Sequence, residues 1–142
     1  MSTPDLVEQL SSFCPQERSQ ALRDLLAASP TPAKPQSDWV NMHMHTFFSF
    51  NGEGWSPTRL AWEARERGLY SMAICDFDVL QGLAEIFAAT DLLGVRSAVG
   101  FESRTFFREY GDQEINSPGE PGVFYFMGMG FVAPPAAGTK GI

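Results

Sequence analysis

Apolar residues recur at helical spacing near the start of the chain. Leu6, Val7, Leu10 and Phe13 share one face, then Ala21, Leu22, Leu25 and Leu26 share another, which predicts two helices within residues 1–29. Pro15 suits the first turn of the second helix, where its missing N–H costs no hydrogen bond. Residues 30–37, PTPAKPQS, carry three prolines and no sizeable apolar group, so they read as an extended linker. From residue 38 the pattern becomes β-α-β-α-β. WVNMHM reads as a strand, and Ser56-Pro57 opens a helix that runs to about Arg67 and stops at Gly68. LYSMAIC is a second, buried strand. A helix from near Gln81 places Leu83, Ile86, Phe87 and Leu93 on one face and ends at Gly94. VRSAVGF is a third strand, 109–122 is Gly- and Pro-rich loop, and GVFYFMGMGF fits a fourth strand. Residues 38–132 thus form an α/β unit, and 133–142 read as a flexible tail.

Strands alternating with helices imply parallel pairing through right-handed crossovers. Functional residues are then expected at the carboxyl ends of the strands, in a barrel or in an open sheet. Side-chain alternation sends Asn41, His43 and His45 to one side of the first strand and Val40, Met42 and Met44 to the other, under the helices. Two imidazoles side by side can bind one divalent ion. The second strand ends in Asp76-Phe77-Asp78 and the third in Gly100-Phe101-Glu102. A carboxylate closing an apolar strand is costly to bury unless it meets a cation. Imidazole with carboxylate suits Zn, Mn or Fe better than Ca or Mg. Each residue also has a plainer use: Asp76 and Asp78 as caps of the following turn, Glu102 as partner of Arg104, and the histidine spacing as incidental.

Charge narrows the partners. The net charge is -7 without a Lys/Arg cluster, which argues against a nucleic-acid backbone as ligand. MSTPDLVEQL lacks the charged-then-apolar pattern of a secretory signal, and no apolar run nears the roughly 20 residues a membrane span needs. Cys14 and Cys75 sit in unlike contexts and read as buried free thiols of a cytoplasmic protein.

The same residues resemble the PHP (polymerase and histidinol phosphatase) superfamily. Its opening motif is matched by His43-Met44-His45-Thr46, Ser49 and Gly52. The second is matched in part by Ile74-Cys75-Asp76-Phe77-Asp78 and Gly82, and the third by Gly100-Phe101-Glu102. Pro57-Thr58-Arg59-Leu60, Ala64 and Gly68-Leu69 are also similar to the family, and the match spans about residues 40–103 well and 104–132 loosely. The resemblance implies the N-terminal part of a distorted, TIM-like (β/α) barrel with a bi- or trinuclear metal centre that hydrolyses phosphate esters. His43, His45 and Glu102 carry over as metal ligands. Asp76 carries over as a ligand or as a partner orienting a histidine, and Asp76 and Asp78 as catalytic candidates. The chain departs from the pattern in three places: Phe77 stands where a histidine is usual, Asn51 where an acid is usual, and Tyr125 near where a later histidine belongs. The closing Asp-x-His is absent.

The expectation is therefore a metal-dependent phosphoesterase-type hydrolase with an incomplete metal site, acting on a small phosphate ester. A catalytically inactive binding or interaction module of the same type is the alternative, and a structural β/α domain with incidental histidines is a third reading. A β/α barrel takes roughly 200–250 residues, so this chain reads as a fragment of a longer protein or as a member that must self-associate. The N-terminal helices would serve as a docking arm or cover the bottom of the barrel. Arg59 and Arg104 are conceivable phosphate contacts, with surface ion pairs as their plainer fate.

Overall fold

The computed structural model of the 142-residue chain describes residues 2–132, so the tail expected over 133–142 lies outside the described residues. Its elements are α1 (Thr3–Gln9), α2 (Pro15–Ala28), β1 (Val40–Met44), α3 (Pro57–Glu66), β2 (Ser71–Phe77), α4 (Leu83–Leu93), β3 (Arg96–Phe106) and β4 (Val123–Phe131). Local chemistry sets the helix ends. Ser2 and Asp5 form a capping box at α1. Ser56 accepts from the Arg59 N–H at 3.0 Å ahead of Pro57, and its hydroxyl donates to the Leu10 carbonyl, tying α3 to α1. Gly94 closes α4 at φ 68, a backbone state that other residues adopt only at a cost.

The four strands form one sheet in the order β1-β2-β3-β4. The first three are parallel, because α3 and α4 each return the chain to the same starting edge. No α-helix intervenes between β3 and β4, only a single 3-10 turn at Arg108–Tyr110, and β4 runs antiparallel to β3 after the loop 107–122. The fold is mixed α/β, and among the described residues the sheet is open, with β1 and β4 at its edges.

Helices cover one face. Met72, Ile74 and Val99 pack there with Leu60, Ala61, Trp62 and Ile86, and Leu6, Leu10, Ala21, Leu22 and Leu25 of α1 and α2 join the same cluster. The three later helices are pinned by one buried ion pair. The Arg18 guanidinium, 3% exposed, donates to both Glu85 oxygens and to the Ser12 carbonyl. Glu85 Oε1 also accepts the Thr58 N–H and hydroxyl at 3.1 and 2.7 Å. Each nitrogen of the buried guanidinium thereby meets an acceptor, which is what makes its burial tolerable.

Four expectations need correction. Phe13 lies beyond the end of α1 and is 88% exposed, its ring stacked on Phe47. Val40 and Met42 are exposed instead of packed under helices, because β1 is an edge strand; only Met44 reaches the core. Strict alternation along β1 also fails. The register slips so that Asn41 and Met44 both stand opposite core residues, Met72 and Ile74, and Asn41 Oδ1 accepts the His43 N–H across the irregularity. Cys14 is half-buried at the start of α2, whereas Cys75 is buried as expected. No described helix is long and apolar enough to cross a membrane.

Candidate metal centre

His43, His45 and Glu102 converge although they come from β1, the turn after it, and β3. Each offers a ligand atom, and these atoms all lie within 4.8 Å of one another. Glu102 Oε2 is 3.1 Å from His43 Nε2 and 3.6 Å from His45 Nε2. Four ligands bound at 2.0–2.1 Å in a tetrahedron stand roughly 3.3 Å apart, so these spacings bracket what one zinc-sized ion requires. The imidazoles make a T-shaped contact, with ring centroids 5.0 Å apart. Side-chain exposure falls from 46% at His43 to 20% at His45 and 10% at Glu102, so the group opens to solvent on one side. The donor set could therefore hold a metal ion.

Asp76 is not part of this group. On β2, Met72, Ile74 and Asp76 alternate toward the helices, whereas Cys75 and Phe77 take the other side with Glu102, the strand partner of Phe77. Both Asp76 oxygens are taken by Thr46: Oδ1 accepts its N–H and Oδ2 its hydroxyl, each at 2.6 Å. Thr46 directly follows His45, so Asp76 fixes the backbone beside that histidine. Thr46, part of the first motif but without a role of its own there, is fully buried. The signal that could have found it is a buried-type threonine next to a predicted ligand, with a strand-end carboxylate that needs a donor.

The loop after His45 is held by the same logic. Ser49 Oγ accepts the Phe77 N–H at 3.1 Å and donates to Asn51 Oδ1 at 2.6 Å. Gly52 closes the turn, and a Cβ there would sit 1.9 Å from the Thr46 carbonyl oxygen, so only glycine fits. Asn51 is thus a loop brace. Asp78 adopts φ 56 just past β2 and donates its N–H to the Glu102 carbonyl at 2.8 Å, but its exposed side chain lies outside the histidine group.

Aromatic carbon fills the other side. Phe77 stacks on His45 with centroids 5.5 Å apart and planes 11° from parallel, and Phe50 and Tyr125 pack on Phe77. A cavity of about 280 Å³ adjoins the histidines, lined by His43, Met44, His45, Asn51, Glu53, Trp55 and Leu60. Burial, and then the nearby Glu102 and Asp76 carboxylates, push the Cys75 thiol up to about 11, so it stays neutral near pH 7. Arg59 pairs with Glu63 and lies over Trp55, and Arg104 pairs with Glu120 instead of Glu102; both take the plainer role.

No protein-family profile matches the chain, and no curated protein sequence does. Solved structures that it resembles include a candidate metal-dependent phosphoesterase from Bifidobacterium adolescentis, at 30% identity over 54% of this chain and 26% of that one, with a TM-score of 0.46. Another is an amidohydrolase from Chromobacterium violaceum, solved with bound sulfate and no metal, at 22% identity over 63% of this chain and 27% of that one, with a TM-score of 0.49. The chain spans about a quarter of the length of each.

Proposed function

We propose that the chain carries the metal site of a metal-dependent hydrolase of the phosphoesterase type, with a PHP-like fold. The observation that supports this most is the convergence of His43, His45 and Glu102 to one-ion spacing across 59 residues of sequence. His43 and His45 would hold the ion through Nε2 and Glu102 through a carboxylate oxygen. A bound divalent ion supplies Lewis-acid polarisation of a phosphoryl oxygen and a nucleophile from water at neutral pH. Asp76 holds Thr46 and so keeps His45 in place. A small phosphate ester would lie in the adjoining cavity, which Asn51, Glu53 and Trp55 line together with the histidines.

The test is metal analysis of the purified chain, together with hydrolysis of p-nitrophenyl phosphate and its diester. The expected result is bound Zn, Mn or Fe and turnover, both lost in His43→Ala with His45→Ala. Wild-type protein holding less than about a tenth of an equivalent of metal would sink the proposal. Metal retained without turnover would support the second reading, a non-catalytic binding module. Phe77 favours that reading, because it places carbon against His45 where a further donor could have stood.

A further inference from the structure

We propose that this chain holds a single metal ion, and that Phe77 orients the His45 ligand by ring stacking in place of a hydrogen bond. The inference rests on the metal-site reading above and specifies its stoichiometry and support.

A pair of catalytic ions stands roughly 3.5–4 Å apart, and a second ion needs donors of its own beyond any shared carboxylate. Among the described residues, the neighbours of His43, His45 and Glu102 do not supply them. Both Asp76 oxygens accept from Thr46, and Asp76 is only 2% exposed. Asn51 Oδ1 accepts from Ser49. Phe77, across from Glu102 in the parallel register, offers only carbon. Glu53 lines the adjoining cavity and Cys75 takes the Glu102 side of the sheet, but both fall outside the converging group. The chain has two histidines in all, both already used, and residues 133–142 contain no His, Cys, Asp or Glu. One ion with three protein ligands and a position left for water or substrate is the arrangement these donors can complete.

The second half concerns His45. A ligating histidine ordinarily donates its other ring N–H to a carboxylate or carbonyl, which fixes the orientation of the ring. His45 Nδ1 is buried and has no hydrogen-bond partner among the described residues. The near-parallel Phe77 ring meets the imidazole instead, and Phe77 is itself held by Phe50 and Tyr125. Stacked rings constrain rotation about the last side-chain bond of His45 much as a hydrogen bond would, but they add no basicity to the ligand. Phe77 is thus a positioning residue.

The experiment titrates the metal-stripped 142-residue chain with Zn²⁺ by calorimetry and measures bound metal after gel filtration. Thermal melts of each metal-free variant confirm that folded proteins are being compared. About one equivalent is expected in the wild type, and none in His43→Ala with His45→Ala. Two equivalents would overturn this inference and leave the metal-hydrolase reading standing, whereas no metal at all would overturn that reading itself. Phe77→Leu is expected to keep one equivalent but bind it about tenfold more weakly, and Phe77→Tyr, which keeps the ring, to bind as the wild type does. Unchanged affinity in Phe77→Leu, or failure of Phe77→Tyr to preserve it, would overturn the positioning role.

Discussion

The helix-covered face of the sheet and the face that carries the histidines treat their polar groups differently. Under the helices each charge is matched: Arg18 has an acceptor for every donor direction used, and Asp76 has a donor on each oxygen. On the other face one Glu102 oxygen lies between two imidazoles, and a buried His45 nitrogen has no partner. The covered face pairs its buried charges, and the other has unused donor capacity. Stability should therefore follow the first face and ligand binding the second.

The sharpest way to break that division is through Arg18. Arg18→Ala leaves Glu85 half-buried without its cation and should cost about 3–5 kcal/mol in urea unfolding, with zinc stoichiometry unchanged in the folded fraction. An Arg18→Ala protein that lost metal at full folding would show the two faces to be coupled. On the other face, zinc at a hundred times its dissociation constant should stabilise the wild type by about 2.7 kcal/mol. In His43→Ala with His45→Ala that increment should vanish while metal-free stability stays within about 1 kcal/mol of the wild type. Thr46→Val tests a connection between the faces. It leaves a buried Asp76 oxygen without its hydroxyl donor, at about 2 kcal/mol, and loosens His45, so stability and zinc affinity should fall together.

The smallest effect belongs to the exposed β3–β4 end. The Ser117 hydroxyl, and then Arg104, hold the Glu120 carboxyl below the usual glutamate range. A depressed folded-state value means that this contribution is present above the unfolded value and is lost as pH falls through the folded one. Side-chain carboxyl NMR should show a low Glu120 midpoint that rises in Ser117→Ala, with no measurable change in melting temperature at neutral pH.

Much of this division was legible in the residues. Ser56-Pro57 and Gly68 bound α3, Gly94 ends α4, and the histidines and Glu102 are candidates because strand ends collect chemistry. What escaped was whatever depends on which strands are neighbours. Nothing local tells that pairing with β3 puts Phe77, and not Asp76, on the Glu102 side. Val40 and Met42 look like core until β1 proves to be an edge. The direction of β4 could not be read either, since a loop without a helix leaves parallel and antiparallel return equally open to the pattern. The N–H that holds Asp76 belongs to a residue 30 positions earlier, and no local periodicity reports such a bond.

That bond also has a consequence in time. His45 gains its place only after the chain has closed a 30-residue span to Asp76, and His43 meets Glu102 only across 59 residues. Long spans close late, because chain entropy is lost before the contact forms. Ion capture should then be among the last events in refolding, lagging helix formation. Stopped-flow refolding with a zinc-sensitive dye would time it against far-ultraviolet circular dichroism, and dye release that kept pace with the helices would mean that the histidines are arranged before β3 arrives.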